Sequence, residues 1–409
     1  DAIRAGRASG AIATNEPVTV KIAAGDYTTG TPFVLDRRDG GSPGAPVIYR
    51  GVGVDRTLIT PSGVLRAADA LPPDPVHPDC VRFLARQIPV PGLTNPALYW
   101  RGRPLPCARW PNAGWATFTN VVDHGDPPVS GRRTGSGRGR PGAFVFDSDR
   151  PSRWSPAATL TGYWTHDWDA RTLPFGSWNP TNHVLRLGAA CPYGIGNRTW
   201  GGRARRFFVN DISELDAPGE WWWDEATGIL SLLPPAGYVS AKAELRLSFG
   251  MDWLVAVEGA DHVVFEDLAF GFARAGGLWV NGSRHVELRR LRILGCGGCG
   301  VKIDANCAAC VVRHCMIRDV GACGVVLAGG DRRLLIAGSN VVEDCEISDF
   351  ARVQRTYAPG VAVSGCGQVV RHCFIHDAPH CAILYNGNEH LIESNEVCHV
   401  VTETGDAGA

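Results

Sequence analysis

At 409 residues the chain exceeds the size at which a single core usually divides, so one large or two ordinary domains are expected. A 44% hydrophobic fraction with 20% charged residues excludes a disordered chain, and no apolar run reaches the length of a membrane span. A formal net charge of −1 removes the electrostatic case for nucleic acid as a partner.

In chain order, DAIRAGRASGAI spaces its apolar residues as a helix does and is expected to cap the open end of the stack of strands after it. The runs VTVKIAAGDY, FVL, APVIYRG and TLITPSG read as short strands between Gly, Asp and Pro turns, which assigns residues 1–66 to a cap and a first set of coils. From 67 to 246 the spacing turns irregular and proline-rich, and this stretch holds 11 of the 13 tryptophans. It is expected to be an inserted β-rich subdomain, with SGRRTGSGRGRPG (130–142) as a mobile linker. Asp1 in place of a methionine points to a removed leader or a trimmed sequence, and the sequons at Asn197 and Asn281 lean towards a secreted, extracellular glycoprotein.

Over 247–409 the chain repeats. HVVFEDLAF (262–270), HVELRRLRI (285–293), ACVVRHCMI (309–317), SNVVEDCEI (339–347), GQVVRHCFI (367–375) and EHLIESNEV (389–397) align at steps of 23, 24, 30, 28 and 22 residues. One apolar column runs Phe265, Leu288, Val312, Val342, Val370, Ile392, and a second runs Phe270, Ile293, Ile317, Ile347, Ile375, Val397. A shorter strand follows each row, as at Val301/Ile303 and Val325/Leu327, with period-two alternation. Like residues in register on short strands predict an all-β fold, a right-handed parallel β-helix; the leucine spacing and helix of leucine-rich repeats are missing.

Cys315, Cys345 and Cys373 form one inward column, and Cys299, Cys323 and Cys381 share a position before the following strand. CGGCG (296–300) and CAAC (307–310) imitate a zinc spacing, but on the repeat these cysteines fall in different columns. They read as small buried hydrophobes, and no metal site is expected. Glu266, Arg289, Arg313, Glu343, Arg371 and Glu393 alternate outward as a surface charge ladder.

NDISELDAPGEWWWDEATGILSLLPP (210–235), the coils after it and IHDAPHCAILYNGNEHLIESNEV…TETGDAGA (375–409) resemble bacterial-type β-helix proteins that act on polysaccharides, and most closely glycoside hydrolase family 141. The resemblance implies a secreted enzyme with an insertion between early and late coils, acting on fucosylated pectin or xylan. In that family the DAGA stretch continues into further coils. The end at Ala409 therefore reads as a cut, with further chain or a partner protein expected to cover the last coil.

Two positions beyond each row stand Phe272, Gly295, Asp319, Asp349, Asp377 and His399, so three aspartates stack on successive coils. Glycoside hydrolysis needs two carboxyl groups, about 5 Å apart for retention or about 6.5–9.5 Å for inversion. Asp377 and Asp406 are expected as the acid/base pair, with Asp349 and Glu403 in reserve; His376, His380 and His399 are expected to bind sugar hydroxyls or tune the acids. The competing reading is that each aspartate merely closes a turn. Trp164, Trp168 and Trp178 are candidates either for stacking on sugar rings or for the subdomain core.

The favoured function is a polysaccharide-acting glycoside hydrolase. One alternative is a non-catalytic glycan-binding or structural β-helix of a larger assembly. Another is a Ca²⁺-dependent polysaccharide lyase, for which Arg352 and Arg355 in DFARVQRTYAPG are the candidate bases and the carboxylate ladder the Ca²⁺ holder.

Overall fold

Each nine-residue row is two strands rather than one, because its sixth residue turns the chain. Asp267, Arg290, His314, Asp344, His372 and Ser394 hold φ between +50° and +58°. The first residue of each row and the second residue beyond it, the column from Phe272 to His399, are left-handed as well. Such backbone favours Gly and, among other residues, Asn, Asp and His. Three corners per coil give three parallel sheets.

The structure is a computed structural model and describes residues 2–409 except 14, 62–63, 85–96, 126–138, 199–201, 240–243, 249–252 and 406. Most of the expected linker 130–142, and Asp406, therefore lie outside the described residues. The first sheet stacks Val18–Lys21, Val47–Arg50, Val263–Glu266, Glu287–Arg289, Val311–Arg313, Val341–Glu343, Val369–Arg371 and Leu391–Glu393. The second runs in parallel from Gly25–Thr28 to Glu396–Cys398, and the third from Phe33–Asp36 to Ile383–Asn388. Val47–Arg50 pairs directly with Val263–Glu266, so a coil before the insertion sits on a coil after it.

The inward columns form one continuous core in which Leu288, Val312, Val342, Val370, Ile293, Ile317, Ile347 and Ile375 are fully buried. Cys315, Cys345 and Cys373 line it as free thiols. The short helix Ala2–Ala8 adds Ile3 to this core, and Arg4 Nε holds Asp39 Oδ1 at 2.7 Å, which ties the helix to the first coil.

The outward ladder needs one correction. The Glu266 side chain is only 1% exposed, enclosed by the guanidinium groups of Arg50, Arg289 (2.6 Å) and Arg290 (2.8 Å). Burial pushes its carboxyl up, but hydrogen bonds from these arginines outweigh it and hold it below the usual carboxylate range. A carboxyl lowered on folding contributes stability above its unfolded pKa and loses it as the pH falls through the folded value. Glu266→Gln is therefore expected to cost about 3 kcal/mol at neutral pH and to flatten the decline of Tm below about pH 4.5. An unchanged Tm–pH curve would contradict this account.

Between the early and late coils the chain forms antiparallel sheets. In the largest, Arg205–Asn210 and Thr159–Tyr163 are central neighbours, and Phe118, Phe144, Trp164 and Phe207 pack beneath them. Two four-stranded sheets complete this part, one of them pairing Leu245–Leu247 with Val64–Leu65. In the ELDAPGEWW segment the acids are structural. Glu214 is fully buried on Trp154 Nε1 (2.6 Å) and Arg153 (2.7 Å), and Glu220 accepts the Asp216 and Ala217 amides (3.0 Å each). No helix among the described residues is long and apolar enough to cross a membrane.

Candidate functional site

The strand Met316–Arg318 pairs with Glu346–Ser348, and that with Phe374–His376, in unbroken register. One residue further on, Asp319, Asp349 and Asp377 follow one another on successive coils, all at left-handed corners. Their exposure is graded: Asp319 is buried, Asp349 half-buried and Asp377 exposed. Asp349 and Asp377 line a cleft of about 310 Å³ together with Phe350, Arg352, Arg355, Ala378, Pro379 and Thr402.

His376 Nδ1 donates to Asp377 Oδ2 at 2.7 Å while its ring stacks on Phe374 at 4.1 Å. His399, on the next coil, places Nδ1 3.6 Å from Asp377 Oδ1. Asp319 lies behind Asp349 with no hydrogen bond to its Oδ2, and Arg318 Nε is 3.6 Å from that oxygen. Burial pushes the Asp319 carboxyl up, and Asp349 adds to this against the pull of Arg352, Arg318 and Arg103.

The loop 349–360 supplies the cationic side. Arg352 donates to the Tyr99 hydroxyl (3.1 Å) and to the Asp319 carbonyl (3.0 Å), and among the described residues no carboxylate forms an ion pair with it. Arg355 grips both oxygens of Glu403, with Nε 2.7 Å from Oε2. Tyr163 from the inserted part donates its hydroxyl to Glu403 at 3.4 Å, and Arg206 donates to the Glu403 carbonyl. Burial and the Glu403 charge push the Tyr163 phenol up. Glu403 is thus a neutralised carboxylate that fastens the insertion to the late coils. Tyr99, Tyr163 and Arg206 carry no motif in the sequence, and only the docking of the insertion brings them here.

Burial takes His380 and Trp164 out of direct contact with sugar and decides Trp164 for the subdomain core. His380 is 4% exposed, its Nδ1 3.1 Å from Thr404 Oγ1, and burial lowers its pKa. Trp164 is wholly buried in the inserted core, its Nε1 donating to the Arg171 carbonyl at 2.9 Å. Trp178 also packs against that core. Trp168 is half-buried, stacked on His166 at 4.4 Å and edge-on to Tyr357, which stands beside His380. Asn197 is exposed and Asn281 half-buried, with Ser283 of its sequon enclosed. Among the described residues, no group of three His, Cys, Asp or Glu is arranged to hold a metal ion.

Residues 300–404 match the family model described as "Right handed beta helix region". No curated protein matches the chain. A solved structure titled "Glycoside hydrolase" overlays with a TM-score of 0.67 at 12% identity, covering 97% of this chain and 92% of its own. The complex of XylC with xylose gives a TM-score of 0.44 at 8% identity, covering 95% of this chain and 59% of that one. An alginate lyase from Paenibacillus sp. str. FPU-7 gives 0.29 at 18% identity, over 35% and 52%. The register of three parallel sheets, the family-model match and the full-length overlay lead to one statement: the chain is a right-handed parallel β-helix with an inserted β-rich subdomain and a short N-terminal helix.

Proposed function

We propose that this protein is a polysaccharide-acting glycoside hydrolase whose reacting carboxyl groups are Asp349 and Asp377. The observation that carries the reading is that these two acids follow each other on adjacent coils and line the same cleft. Adjacent parallel strands sit about 4.8 Å apart, which suits the shorter, retaining separation. Asp377, oriented by His376, takes the nucleophile's role; Asp349, deeper in the cleft, takes that of acid and then base. The overlay with a structure titled as a glycoside hydrolase supports the substrate class, as does the aromatic pair of half-buried Trp168 and exposed Tyr357. Asp406, which lies outside the described residues, remains proposed as a further reacting acid, and an extracellular location with glycan on Asn197 belongs to the same reading.

The test is a survey of plant and bacterial polysaccharides. Reducing ends should appear without the ultraviolet absorbance of a new double bond, and with retained anomeric configuration. Absorbance that a chelator abolishes would replace this reading by Ca²⁺-dependent lyase action, with Arg352 as base. Trp168→Ala in an Asp377→Asn background is expected to weaken oligosaccharide binding about tenfold by calorimetry. Unchanged binding would remove Trp168 from the site.

A further inference from the structure

We propose that Cys299 and Cys323 are a thiol–disulfide exchange site, closing into a cross-coil bond beneath the cleft loop when a small-molecule disulfide is present. Val301–Ile303 pairs with Val325–Leu327 residue for residue, which sets Cys299 opposite Cys323 two positions earlier. Backbone bonds confirm that register: Gly300 N donates to the Cys323 carbonyl and Val301 N to the Gly324 carbonyl, each at 3.0 Å. Neighbouring parallel strands lie about 4.8 Å apart, inside the Cα separation of about 4.4–6.8 Å that a disulfide spans.

Register alone does not single out this pair, since Cys315, Cys345 and Cys373 also follow one another on adjacent coils. Access does. Those three are 3%, 2% and 1% exposed, and Cys307 and Cys310 are 2% and 0%, whereas Cys299 is half-buried. Cys381 belongs to the same column but is two coils from Cys323, with Pro359 at the position between. Reactivity supports the attack without choosing the pair, since Cys310 lowers the enclosed Cys307 thiol in the same way, and of the two only Cys299 is within reach of a reagent. A hydrogen bond from the Cys323 thiol, outweighing burial and helped by the charge of Lys302, lowers the Cys299 thiol to about 7. The thiolate is the attacking form.

The step balances without a further reagent. The Cys299 thiolate attacks one sulfur of the small disulfide, forming a mixed disulfide and releasing one small thiolate. Cys323 then gives up its proton and attacks Cys299 Sγ, releasing the second. Two protein thiols are oxidised and one small disulfide is reduced to two thiols.

The bond would lie where the cleft loop is seated. Ala351 N donates to the Ala322 carbonyl, and Val353 N and Gln354 N to that of Gly321, each at 2.9 Å. The coil carrying Ala322 rests in turn on Gly298, whose carbonyl accepts from Ala322 N at 3.0 Å. Joining Cys299 to Cys323 thus fixes the two coils that support Arg352 and Arg355.

The experiment incubates the folded chain with oxidised glutathione and follows intact mass and tryptic peptides. Lys302, Arg313 and Arg318 separate the two cysteines into different peptides. The expected product has lost two hydrogens, carries a single Cys299–Cys323 cross-link, melts a few degrees higher and reverts with dithiothreitol. Cys323→Ser should stop at a stable glutathione adduct on Cys299, and Cys299→Ser should not react. A wild-type protein that remains as the Cys299 adduct, links any other pair, or stays fully reduced would overturn the proposal. None of these outcomes depends on the chain being a hydrolase.

Discussion

Asp377→Asn is expected to lower turnover by about 10³-fold or more, or roughly 4 kcal/mol of transition-state stabilisation, with Tm changed by no more than a few degrees. Asparagine is the informative replacement. Asp377 sits at φ +57°, and Asn tolerates that left-handed corner almost as well as Asp does. The fold is therefore kept while the carboxylate is removed. The same reasoning holds for Asp349 at φ +51°. Because two acids acting in one step are not additive, Asp349→Asn/Asp377→Asn should be little worse than either single change. If both acids only close turns, each Asn variant keeps full activity on whatever glycan the wild type cleaves. That outcome would end the catalytic assignment while leaving the fold intact.

Asn340→Leu is expected to give the largest loss of stability from a single side chain. Asn340 is fully buried where the chain leaves the stack for the detour between Leu327 and Val341. Its Oδ1 accepts from Cys310 N at 2.9 Å, and its Nδ2 donates to the carbonyls of Ala328 (2.9 Å) and Cys307 (3.2 Å). Gln368 on the next coil repeats the device, donating to Gly329 and Cys366 at 2.8 Å each. Leucine fits the volume but orphans three buried backbone groups at about 1–3 kcal/mol each. The total reaches about 4 kcal/mol or more, against about 1 kcal/mol for Ile347→Val in the same core. Thermal melts should separate the two clearly, with the Asn340 variant lower by roughly 5–8 °C. Equal melting temperatures would show that water reaches and satisfies the corner.

The stack was legible because a coil buries the same positions at every turn. Phe265, Leu288, Val312, Val342 and Val370 can be aligned by eye, and all five are buried. The aspartate column was legible for the same reason, as were the thiols at Cys315, Cys345 and Cys373. The corner inside each row was not. Asp267, Arg290, His314, Asp344, His372 and Ser394 share a backbone conformation but no side-chain chemistry, so the bend leaves little trace in the residues. Glu266 looked like its surface neighbours in the ladder, yet three arginines enclose it.

What the sequence determined by itself is the helix and the row in which its acids stand, since local alternation and a coil-length repeat are short-range properties written at every turn. Only the tertiary structure decided which groups meet. Trp164 and Trp168 are four residues apart, one in a core and one half-buried against Tyr357 of the late coils; Tyr163 reaches Glu403 from 240 residues away. Those meetings depend on how an inserted domain docks against the late coils, and docking is settled by burial and ion pairing between surfaces that no periodicity links.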